Sequence, residues 1–84
     1  MVLFEVSKNP NTPSDALDKL ANHKNLYVRV GVAENLMTPD FILDRLANDK
    51  EKFVRNKVAL NIRTPVEILE RLIHDEDRFV RRNA

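Results

Sequence analysis

The chain has 84 residues, with 14 Lys and Arg against 13 Asp and Glu, a formal charge of +1, and a composition that is 43% hydrophobic and 32% charged. That is the balance of one small globular domain, and bulk charge does not point to a polyanionic partner. Cys and Trp are absent and Gly31 is the single glycine, which excludes disulfides, thiol chemistry, cysteine-bound metal and any Gly-rich phosphate loop.

The elements follow a repeat. Residues 9–34 align without gaps on 35–60 and then on 61–84, at a period of 26, and together with a half unit at 1–8 they make a single repeat domain over 1–84. In the half unit, Val2 and Val6 stand where the next unit has Val28 and Val32. No apolar run is long enough to span a membrane, and the start carries Glu5 and is too short for a signal peptide. A cytoplasmic setting is expected, although the missing cysteines leave the redox compartment open.

Each full unit opens on Asn9, Asn35 or Asn61, followed by Thr12-Pro13, Thr38-Pro39 or Thr64-Pro65. Thr is expected to cap a first helix, with Pro at its first position. Ala16, Leu17, Leu20 and Ala21 then form one helical stripe, repeated by Ile42, Leu43, Leu46 and Ala47 and by Ile68, Leu69, Leu72 and Ile73. After a polar link (22–25, 48–51, 74–77), a second helix begins near Leu26, Lys52 and Arg78. It is expected to bury an aromatic (Tyr27, Phe53, Phe79), the following Val, and then Val32-Ala33 or Val58-Ala59. Asn35 and Asn61 fall just past its end, where a left-handed residue commonly stops a helix. Phe41 and Val66, near the first-helix starts, read as staple or cap contacts.

No strand-like alternation is present, so the chain reads as all α. A pair of helices this short cannot bury its stripe alone, but stacked pairs share one apolar spine, with Leu17, Leu43 and Leu69 expected inside it. At the ends, either Arg81-Arg82-Asn83 is a minimal polar cap, or the chain is part of a longer solenoid, or end-to-end pairing covers the exposed spine. These three readings stay open.

The pattern Asn35-Leu-Met-Thr-Pro-Asp-Phe-Ile-Leu-Asp-Arg-Leu46, followed by Val54-Arg-Asn-Lys-Val-Ala-Leu-Asn61, resembles the leucine-rich repeat variant family, and the acidic link ahead of Val-Arg looks like the wider HEAT-type repeats. The resemblance covers nearly the whole chain. It implies a right-handed superhelical α-solenoid of short helical pairs, one helix of which is often 3₁₀ in that family, and a binding scaffold without a stated ligand. The cysteine-bound iron–sulfur cluster of the founding member does not carry over, because no cysteine is present.

Charge divides by element. The first helices hold Asp15, Asp18, Asp40, Asp44, Glu67 and Glu70 against Lys19, Arg45 and Arg71, most simply a solvated face. The second helices of units two and three carry Lys52, Arg55, Lys57, Arg78, Arg81 and Arg82 and no acid, and these six are the candidate binding residues. For Arg29, Arg55 and Arg81, which recur in every unit, a structural role competes with binding and is the leading reading: pairing with link acids such as Asp49 or Asp75, or stacking along the spine. Leu26, Val30, Leu60 and Gly31 suit an apolar partner, but imperfect packing of terminal units, which tolerate such residues, is the leading reading.

The expected partner is a protein or an acidic or amphipathic peptide docked on the second-helix face. Nucleic acid held through phosphates is the rival, disfavoured because the aromatics are assigned to the core and leave no stacking platform. No cofactor, metal or membrane is called for. His23 and His74 occupy different places in their units, and Asp75 and Asp77 precede a helix as capping residues, so no catalytic set emerges.

Overall fold

Proline and the polar links cut the chain into seven short α-helices across residues 2–84, the residues described by the computed structural model. They are α1 (Val2–Lys8), α2 (Ser14–Leu20), α3 (Leu26–Glu34), α4 (Asp40–Leu46), α5 (Lys52–Leu60), α6 (Val66–Leu72) and α7 (Arg78–Asn83). Both members of each pair are α-helical, and the described residues contain no strand. Met1, part of the half unit, lies outside the described residues.

The second helices pack side by side in the order α1, α3, α5, α7; α2 and α4 pack on the second helix of their own unit, and α4 and α6 pack on the second helix of the unit before. The core follows the expected stripes: Leu17, Val28, Val32, Ile42, Leu43, Val54, Val58 and Val80 are fully buried. Leu69, expected with Leu17 and Leu43, is half-buried, because no later unit among the described residues covers its outer side. Ile73 is exposed for the same reason, whereas its counterparts Ala21 and Ala47 are buried.

The threonines do something other than cap the helix that follows them. Pro13, Pro39 and Pro65 occupy the N-cap positions and make no side-chain cap hydrogen bond. Instead the Thr38 hydroxyl donates to Val32 O and that of Thr64 to Val58 O, both at 2.7 Å, giving a second donor to a carbonyl near the end of the preceding second helix that also accepts from the Asn35 or Asn61 N–H at 3.2 Å. Thr12 does the same to Val6 O.

Asn35 and Asn61 are likewise not left-handed. Their φ angles are −72° and −71° in extended backbone, and no residue described has positive φ. Their work is done by the side chain. Asn61 Nδ2 donates to Ala33 O at 2.8 Å and Asn35 O at 3.1 Å, and Asn35 Nδ2 donates to Ser7 O at 3.0 Å and Asn9 O at 2.9 Å. Each Asn thus stitches its unit to the one before, while its Oδ1 accepts from the N–H two residues on. An Asx turn therefore takes the place of a left-handed stop, leaving the amide free to reach back.

Gly31 serves close packing inside the fold. It lies in α3 against α1, where an added Cβ would run into Ser7 Oγ and stand 3.0 Å from Ser7 Cβ and 3.1 Å from Phe4 O. Val30 is also buried in the core. Among the described residues, no helix is long and apolar enough to cross a membrane.

Candidate functional site

The second helices begin as expected at Leu26, Lys52 and Arg78, with Asn25 Oδ1 accepting from Tyr27 N and Asp77 Oδ1 from Phe79 N and Val80 N. These starts fix the register of everything on the helix surface. With Val28, Val54 and Val80 turned fully inward, the residue before each is rotated by about 100°. Tyr27, Phe53 and Phe79 therefore point out, with exposures of 62%, 58% and 50%. Their assignment to the core is corrected: they form a solvent-facing row, one ring per unit, on helices in direct contact. In the sequence of the half unit the matching position is Met1, outside the described residues.

The row is flanked by cations. Lys52 Nζ lies 5.7 Å from the centroid of the Phe53 ring, and the Arg78 guanidinium carbon 5.1 Å from that of Phe79, within cation–π range. A cleft of about 230 Å³ opens between the two rings, lined by Lys52, Phe53, Asn56, Asp77 and Phe79. One turn further along the helices, Asn83 Nδ2 donates to Asn56 Oδ1 at 2.8 Å. At the far end, Leu36, Leu60 and Ile62 border a hollow of about 270 Å³ with Glu34 and Lys57.

The six candidate cations part company. Arg55 is buried at 7% exposure in the joint between units, its Nε donating to Asp75 Oδ2 at 2.7 Å and its Nη2 to Asp75 Oδ1 at 3.1 Å. Arg29 makes the same fork with Asp49, so the link-acid pairing holds in two units. Arg81 stays exposed and donates to Asp75 O at 2.6 Å. Lys52 reaches Asp77 at 3.8 Å and Lys57 reaches Glu34 at 3.7 Å. Arg78 and Arg82 are exposed and have no ion-pair partner among the described residues.

At the buried joint, burial pushes the Asp75 carboxyl up, but the Arg55 hydrogen bond and the Asp77 N–H outweigh it and hold the group below its ordinary value. Arg55 is raised in turn, chiefly by that hydrogen bond. Among the first helices, Arg45 binds Asp18 and Arg71 binds Asp44, each at 2.5 Å and each across a unit boundary, so this solvated face is also an inter-unit ladder.

Phe41 and Val66 are exposed at 60% and 63% and are not staples. His23 turns its ring onto the backbone, Nδ1 accepting from Asn25 N at 3.0 Å, and His74 is exposed. Among the described residues, no three His, Asp or Glu side chains come together in a way that could hold a metal ion. Compared with known protein families, curated proteins and solved structures, the chain finds no match.

Proposed function

We propose that the chain is a non-enzymatic helical-repeat scaffold, a right-handed α-solenoid akin to the leucine-rich repeat variant family, that binds a protein or peptide segment on its second-helix face. The observation that carries this reading is the exposed row Tyr27, Phe53 and Phe79. Aromatic rings held on rigid helices are the side chains most often responsible for binding energy at interfaces, because they bring large apolar area at little entropic cost. The cations beside them favour a protein partner over a polyanion. Arg55, Lys52 and Lys57 are already compensated by Asp75, Asp77 and Glu34, which leaves Arg78, Arg82 and part of Arg81 for a ligand.

Nucleic acid is the second reading, favoured by the same row, since one open ring per unit is a stacking platform for bases. The two separate in solution. The protein is titrated with fluorescent peptides of defined composition and with single-stranded and duplex oligonucleotides at two salt concentrations. Peptide binding that weakens at least tenfold in Phe53→Ala, with Tm unchanged, supports the proposal. Oligonucleotide binding that collapses with salt, without peptide binding, overturns it in favour of the rival.

A further inference from the structure

We propose that the bound segment is an extended, proline-rich chain in polyproline II conformation, laid across the aromatic row at three residues per repeat unit, with acidic residues over α7. This rests on the second-helix binding reading above.

Spacing is the first support. Packed helices lie about 8–10 Å apart, and three such steps from α1 to α7 account for most of the 32 Å long axis. A polyproline II chain rises about 3.1 Å per residue with three residues per turn, so every third side chain returns to the same face after about 9.3 Å. Successive prolines therefore meet successive rings. The cleft of about 230 Å³ between Phe53 and Phe79 suits one compact side chain.

Hydrogen bonding is the second support. An α-helical partner satisfies its own carbonyls, whereas a polyproline II chain has no internal hydrogen bonds and presents every carbonyl outward. The face offers donors to meet them. Asn56 gives its Oδ1 to Asn83, and its amide N–H groups have no partner among the described residues. Arg82 is one residue short of Asn83 on α7, and the Tyr27 hydroxyl stands at the other end of the row.

Charge gives the third. Lys52 and Lys57 are neutralised by Asp77 and Glu34, so the uncompensated positive charge of the face gathers on α7 at Arg78 and Arg82. Carboxylates on the segment would find their partners there.

The test measures fluorescence anisotropy of labelled synthetic peptides on the full chain. One peptide has proline at every third position and aspartates at one end. A second has one residue inserted between prolines, a third has lysines for the aspartates, and a fourth is an amphipathic helix. The expected order is tightest binding for the first and at least tenfold weaker binding for the second. Arg78→Glu with Arg82→Glu should invert the preference between the aspartate and lysine peptides. Equal affinity for the first two peptides, or tighter binding of the helix through Phe53, overturns the polyproline proposal and leaves the binding face standing. Binding of none of the peptides, or only of an added single-stranded oligonucleotide, overturns both.

Discussion

Arg55 and Asp75 close a two-bond fork across a unit boundary, and the same guanidinium donates through Nη1 to Asp49 O at 2.8 Å. One side chain thus ties the link of its own unit to the link of the next. Arg29 repeats the geometry with Asp49 and with His23 O. The side chains of both pairs are 8–9% exposed, so each is a largely desolvated joint at the edge of the spine.

Removing one partner of such a joint leaves a stranded charge. Asp49→Leu is expected to lower stability by about 3 kcal/mol, whereas the double variant Arg29→Met with Asp49→Leu recovers at least half of that loss, because an apolar pair avoids the desolvation cost. Urea denaturation of the four members of the cycle measures it. A double variant as unstable as the single would show that the loss is not electrostatic.

Acid should loosen the same joint. The folded Asp75 carboxyl lies below its ordinary value of 3.8, so the unfolded chain binds its proton first as pH falls. The stabilisation is therefore fully present well above that value, declines as pH drops through it, and is gone once pH passes the lower folded value. Thermal melts from pH 7 to pH 2 follow this. Asp75→Asn should remove part of the acid sensitivity, and an unchanged profile in that variant would exclude Asp75 as a source.

Asn61 is the cheapest place to break the stitching. Its amide answers two buried carbonyls, Ala33 O and Asn35 O. Asn61→Ala should cost about 2 kcal/mol, chiefly through the unanswered Ala33 O, since Asn35 O still accepts from Thr38 N at 3.2 Å. Asn61→Asp should cost more, because a carboxylate would then face two carbonyl oxygens with no donor between them. Chemical denaturation ranks the pair, and a milder effect for Asp than for Ala would contradict the bonding scheme.

These roles show what the repeat made legible and what it hid. The stripe from Leu17 to Ala47, the starts of all three second helices and the pairing of Arg29 and Arg55 with link acids follow from spacing and residue type. Thr38 and Asn35 were harder to read, since a capping residue looks the same in sequence whether it serves the helix before or the helix after. The aromatics misled for a physical reason. Recurrence at 26 residues signals that a position meets the same surroundings in every unit, but a ladder on the surface recurs as faithfully as a ladder in the core. The phase relative to Val28 and Val32 carried the missing information: Tyr27 lies off that stripe. The unpaired state of Arg78 and Arg82 required knowing which carboxylates reach which cations, and those contacts join residues from different units.

Gly31 offers a test of α1 alone. Gly31→Ala forces Ser7 to give up its hydrogen bond to Phe4 O and presses Cβ on Cβ, an overpacking that should cost about 1–2 kcal/mol. Amides of α1 should then exchange with deuterium sooner than those of α5. Adding Ser7→Gly removes the collision and should restore part of the protection. Unchanged α1 exchange in Gly31→Ala would mean that α1 does not depend on this close approach.

The stitches and forks between neighbours span sequence separations of 20, 26, 27 and 28 residues. The chain is consequently modular in a practical sense. A further 26-residue segment spliced in after Leu60 would bring its own Asn, Thr, Arg and Asp, and would meet ready-made partners on either side. Every loop closed along the way has nearly the same length, so the entropic cost of growth is the same at each step. Such an insertion would lengthen the molecule by one helix spacing and add one more ring to its surface.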